Sequence, residues 1–307
     1  MPCSASINMT ASAPLPETMH QDLHTLTQEI RQAARALRRN YEPARLYELR
    51  VAIRRIRSML KHRGSKRARR FRKTWGSFAA ATNRARDWDV FSATAEELLS
   101  AAALDDFRRA CEAPLQTSRD KVIRMLESGR WRAHLKEWKR FLARALEHGD
   151  RRNGELSAPA QAQSLAERLS AALDAALARA RVALLVALEE DDDSSWHKFR
   201  IAVKEVRYTA EREPPPLAGE PRAAEVVEVC KGLQSLLGGW HDCVIQLQLL
   251  DELAPSPLTE ELRNTLVDRR RQRLADIRET VVLQPLFSWS AGPIPPADAL
   301  PAGPPGR

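Results

Sequence analysis

Two segments of this chain repeat arginine and lysine at the spacing of a helical turn. Residues 46–57 read LYELRVAIRRIR, and residues 196–207 read WHKFRIAVKEVR. Wound as an α-helix, the first places Tyr47, Arg50, Arg54, Arg57 and Lys61 in one line, and the second places His197, Arg200, Lys204 and Arg207 in the same register. Successive members stand one turn, roughly 5 Å, apart. No acid interrupts either line. A solvated helix face gains from mixed i,i+4 pairs, whereas like charges at that spacing cost about a few tenths of a kcal/mol each. Uninterrupted rows of this kind present donors to an anion. Phosphate suits them best, because a guanidinium offers a planar fork and an ammonium a point charge. Arg31 and Arg181, on the segments preceding the two rows, extend the match at the same offset.

The elements that must carry these rows follow from the neighbouring positions. One residue away, Leu46, Leu49, Ile53, Ile56 and Leu60 form an apolar stripe, matched by Trp196, Phe199, Val203 and Val206. Each row therefore borders a core-facing stripe. Glycine is scarce, while Ala, Leu, Arg and Glu are abundant, so the expected fold class is all-α. Helices are predicted over about 17–40, 43–62, 66–84, 105–128 and 131–148, with one more following the segment RDWD and Pro114 kinking or dividing the helix that contains it. In the second half they are predicted over about 160–188, from a cap at Ser194 or Ser195 as far as EPPP, and over 221–237, 241–253 and 257–283. The expected organisation is a flexible lead 1–16, a first helical repeat 17–148, a linker 149–159, a second repeat 160–284 and a Pro-rich disordered tail 285–307.

The chain has 307 residues, a net charge of +9 and a pI near 9.8, which favours polyanionic partners. The excess is local: Arg45–Lys73 holds thirteen Lys and Arg, with Glu48 its only acid. Cys3, Cys111, Cys230 and Cys243 show no CxxC spacing and suit a reducing compartment, the last three as buried structural residues. No signal-peptide pattern opens the sequence, and no apolar run approaches the roughly 20 residues of a membrane span. A cytoplasmic protein is expected.

Four segments in order resemble the CHAD family, the conserved histidine α-helical domain. They are YELRVAIRRIR, RDWDV at Arg86–Val90, HKFRIAVKEVRYTAE and LQSLLGGWHD at Leu233–Asp242. The resemblance covers roughly residues 18–284. It implies two pseudo-symmetric helical-bundle repeats around a basic cavity or groove that binds inorganic polyphosphate, with association to polyphosphate granules as a further expectation. By position it assigns the ligand to Arg50, Arg54, Arg55 and Arg57 in the first half and to His197, Arg200, Lys204 and Arg207 in the second, with Lys231 matching another basic position. Tyr208 and Glu211 match the end of the second motif, where they are expected to support packing or an ion pair. The chain departs from the family at Tyr47, where a histidine is expected; a phenol cannot become cationic.

Other chemistry is less well supplied. Asp87, Asp89 and Asp242 could suggest a metal, but Asp87 and Asp242 read better as helix caps or as partners of buried arginines. Neither a nucleophile–base–acid context nor a phosphate-binding glycine loop is present, and no metal or cofactor is expected. The acidic–basic ExExK start of the triphosphate-cleaving barrel that often accompanies CHAD segments is missing, so the expectation is a binding module; an enzyme acting on phosphoanhydrides, which would need carboxylates holding a metal beside the basic rows, is a further reading. A nucleic-acid or ribosome-associated polyanion binder is the alternative; Trp75, Trp88 and Trp240, its candidate stacking groups, read as core.

Overall fold

The computed structural model describes residues 17–61, 65–147, 159–211, 221–284 and 286. All regular structure among them is helical. The order is α1 (Glu17–Arg39), α2 (Pro43–Leu60), α3 (Lys66–Ala81), α4 (Asn83–Leu98), α5 (Ala101–Glu127), α6 (Gly129–Glu147), α7 (Pro159–Glu190), α8 (Asp193–Ala210), α9 (Pro221–Leu250) and α10 (Pro257–Val282). The chain falls into two compact units, one within residues 1–156 and the other within 157–307. The expected lead 1–16, most of the linker 149–159 and nearly all of the tail 285–307 lie outside the described residues.

In the first unit α2 packs against α1 on one flank and α3 on the other. Leu46, Leu49, Ile53, Ile56 and Leu60 are fully buried, as the stripe requires. The core continues into an aromatic cluster. Phe71, Trp75 and Phe78 of α3 pack edge-on or tilted against Trp131, His134 and Trp138 of α6. Trp138 donates its indole N–H to Thr27 Oγ1 of α1 at 2.8 Å, which satisfies the polar edge of that ring. Pro114 does not divide its helix: α5 runs through it from Ala101 to Glu127.

In the second unit α8 packs between α7 and α9, and α9 packs on α10. Trp196, Phe199, Val203 and Val206 are fully buried. Helices α2 and α8 both have 18 residues, and their bounds are offset by the same 150 positions as the motifs. Two sequence expectations are corrected here. Asp192, not Ser194 or Ser195, caps α8: its Oδ1 accepts the Ser195 backbone N–H at 2.6 Å, because a carboxylate just outside the helix reaches the exposed amides of the first turn. The acidic run before α8 also binds α10, through Arg278 on Asp191 and Arg270 on Asp193 at 2.9 Å. The second correction concerns Gly238 and Gly239, which do not break the chain; α9 is continuous from Pro221 to Leu250. Each helical glycine costs about 1 kcal/mol relative to alanine, less than the packing of α9 on both α8 and α10 returns.

His134 makes the first unit sensitive to acid. Burial, then the charges of Arg130 and Arg70, push its imidazole down to about 4. The folded state thus holds the neutral ring and binds fewer protons than the unfolded chain. Its stabilising contribution is complete above the ordinary value of 6.5 and is lost as pH falls through the window toward 4. Urea unfolding at pH 7 and pH 4.5 should show the wild type losing roughly 2–3 kcal/mol more than His134→Phe. Equal losses would mean that the ring is not held neutral by the core.

Candidate functional site

The first row lies along the flank of α2 that meets α3. Arg50 is half-buried and fixed at the α3–α4 corner, where Nη1 donates to the Ala79 carbonyl at 3.0 Å, Thr82 Oγ1 at 2.5 Å and Asn83 Oδ1 at 2.9 Å. All three acceptors are neutral, so the guanidinium is positioned while its charge is kept. Burial lowers its proton affinity; the nearby Asp87 opposes that shift, and Arg86 and Arg54 add to it. Arg57 lies flat on α3 over Gly76, where a Cβ would stand 3.2 Å from its Cζ. Burial and the charge of Arg72 lower Arg57 in the same direction. Arg54 and Lys61 are exposed on the outer edge of the line.

The second row faces α9. His197, Arg200, Lys204 and Arg207 are all half-buried on α8. Arg200 is lowered by burial, with Asp242 of α9 opposing. Arg207 is braced by its own helix, its Nε 3.4 Å from Glu211 Oε1 and its guanidinium 4.8 Å from the Tyr208 ring. Tyr208 and Glu211 therefore support packing and an ion pair, as expected of the motif's end. Across from them α9 offers Lys231, Gln234, Gly238 and His241 along one stripe at spacings of 3 and 4. A Cβ on Gly238 would meet nothing within 4 Å, so open space lies beside the row. Lys231 is turned along its own helix by Glu228, 2.6 Å away.

Two expected members do not join the rows. Arg55 sits one residue round α2 and, with Asp22 and Glu29, lines a groove of about 410 Å³ against α1. Its counterpart Glu205 pairs with Arg179 of α7 at 3.2 Å, and Arg179 in turn occupies the register position of Glu29. Arg181 is engaged elsewhere, donating from Nε and Nη2 to the Leu286 carbonyl at 3.2 and 3.1 Å. Arg31, its counterpart, is half-buried on α1. Tyr47 is 55% exposed and lines a second α1–α2 groove of about 620 Å³ with Glu29 and Glu48.

Arg72, Arg86 and His241 were not among the predicted site residues, yet the structure places them at the rows. Arg72 lay unmarked within the dense basic stretch, and Arg86 opens the RDWDV segment; the register of His241 on α9 was hidden by the expected break at Gly238. The carboxylates are likewise dispersed. Asp89 is buried against α5 and the α1–α2 connection, accepting from Tyr41 Oη at 2.7 Å and Arg119 Nη2 at 3.2 Å. Asp87 and Asp242 stand inside α4 and α9, near Arg50 and Arg200; they are not caps, because both helices begin earlier. Among the described residues no group of three or more His, Cys, Asp or Glu side chains is gathered to hold a metal. No helix among the described residues is long and apolar enough to cross a membrane. Cys111, Cys230 and Cys243 are buried, and burial pushes the Cys230 thiol up to about 12.

A profile of the CHAD domain matches residues 21–251. No curated protein matches the chain. Its fold is similar to the crystal structure of the CHAD domain from the plant Ricinus communis, with a TM-score of 0.60 and 23% sequence identity over 91% of this chain and 96% of that one.

Continuity of α9 past the row has a direct check. Gly238→Ala should stabilise the second unit by roughly 0.5–1 kcal/mol, since the methyl enters open space and the unfolded chain loses freedom. A lower melting temperature for this variant would mean that the glycine pair interrupts the helix.

Proposed function

The chain belongs to the CHAD family, and from that membership we propose that it binds inorganic polyphosphate through the basic rows of α2 and α8. The observation that carries this reading is the state of the row arginines. Arg50 is held by neutral oxygens at the edge of a core, so its charge is fixed in place before any ligand arrives. Preorganised cations lose little freedom on binding a phosphate, and each contact is a charge-assisted hydrogen bond. A polymer with a charge on every unit can engage several cations of one row at once, which favours long polyphosphate over single phosphates by effective concentration. The protein is a binding module in the cytoplasm, associated with polyphosphate granules, and no reaction is assigned to it.

Nucleic acid is the competing polyanion. Trp75, Trp88 and Trp240 are fully buried, so these indoles provide no stacking platform for bases beside the rows.

The test is a competition at physiological salt, with labelled long-chain polyphosphate challenged by DNA, RNA and short phosphates. The variants follow the structure. Arg50 is left intact because it also ties the α3–α4 corner, and Arg54, Arg57, Lys204 and Arg207 are replaced together by Ala. A charge-matched control removes Arg132, Lys136, Lys139 and Arg140, all exposed on α6. The row variant should lose roughly 1000-fold in affinity and the control only a few-fold, given about 1 kcal/mol per charged contact. Equal losses, or equal displacement by nucleic acid, would reduce the rows to a general basic surface.

A further inference from the structure

The second row contains a feature that the first lacks. His197 of α8 and His241 of α9 pack ring against ring, with centroids 4.8 Å apart and planes tilted by 41°. The Nδ1 atom of each is buried with no hydrogen-bond partner among the described residues, as is Arg200 Nε. We propose that His197 and His241 form a proton site that fills when an anion docks on Arg200 and Lys204, so that polyphosphate binding by the second unit takes up protons and tightens as pH falls. The inference rests on the polyphosphate reading and adds His241 to its binding residues.

The charges bearing on the two rings come from both helices. Arg200 and Lys204 stand on α8, one and two turns from His197. On α9, Asp242 follows His241 and acts on Arg200, while Arg269 and Arg273 of α10 reach the next residue, Cys243. Burial, then Arg200 and Lys204, hold His197 below the ordinary imidazole value. Burial, then Arg200, His197 and Lys204, bring His241 down to about 4. Without ligand the pair is therefore neutral near pH 7, kept so by the same cations that attract the anion. A phosphate placed among these groups offsets the cations and offers an acceptor to an imidazolium, so both effects favour the protonated ring.

The sign follows from linkage. The complex binds more protons than the free protein between the ordinary value of 6.5 and about 4, so affinity rises as pH falls through that window. Below about 4 the free pair is already charged and the gain ends. In the first row the register position of His197 is Tyr47, an exposed phenol that cannot supply this response.

Calorimetry of the full chain with long-chain polyphosphate at pH 5.5, in two buffers of different ionisation heat, reads the proton count directly. Long chains are used because their internal phosphates stay ionised throughout this range. The expected result is uptake of about one proton per second-unit site, with affinity about three- to tenfold higher at pH 5.5 than at pH 7.5. The uptake should vanish in the His197→Gln, His241→Gln double variant. NMR titration of the wild-type histidine rings provides a measurement independent of any variant: both imidazoles should titrate at higher pH with polyphosphate present than without it. Binding without proton uptake, uptake that survives the double variant, or ring titrations unmoved by polyphosphate would overturn the proton site alone. Absence of binding at both pH values would overturn the polyphosphate reading with it.

Discussion

A cation at the rim of an apolar core must be hydrogen-bonded without being neutralised. If it is left unbonded, the buried donors are expensive; if it is matched by a carboxylate at close range, the field it projects is lost. Arg50 resolves this with a main-chain carbonyl, a hydroxyl and a side-chain amide oxygen, all drawn from the corner between α3 and α4. That corner is in turn held by the aromatic cluster that seats α3 on α6. The basic row is therefore an extension of the core, and its geometry is as rigid as the packing beneath it.

The same economy recurs around the other members. Arg57 needs a flat surface and finds it where α3 lacks a side chain at Gly76. Arg207 is steadied by the Tyr208 ring and by Glu211 one turn on. Asp87 and Asp242 act on Arg50 and Arg200 respectively, so each unit tempers one half-buried row arginine with a carboxylate from a neighbouring helix. Each support comes from the row's own helix or the one packed beside it. Positioning is thus accomplished within each unit from short-range contacts.

Much of this was legible in the sequence, and the failures have physical causes. The apolar stripes at Leu46–Leu60 and Trp196–Val206 were readable because burial obeys the 3.6-residue period. The register of the rows followed from the stripes. Gly238 and Gly239 misled because local propensity is weak beside two flanks of tertiary packing. The cap of α8 was misplaced by two residues or more, since several acceptors compete there and only geometry selects Asp192. Arg55 was assigned by position in a motif, although a single residue step turns it onto the α1 flank. The pairing of His197 with His241 joins two helices, and periodicity within either one carries no trace of it.

The exchange of charge at positions 150 residues apart has a consequence for how a chain with two similar helical motifs folds. Glu29 and Arg55 share a groove between α1 and α2, whereas Arg179 and Glu205 bridge α7 and α8 with the signs reversed. Two hairpins whose second helices share length and register could trade partners during folding, the characteristic error of repeated sequences. Crossed pairing of α1 with α8 would oppose Glu29 to Glu205, and crossed pairing of α7 with α2 would oppose Arg179 to Arg55. The reversal acts as a key that fits each leading helix to its own successor and penalises the swapped assembly, through repulsion in the wrong pairing more than through attraction in the right one.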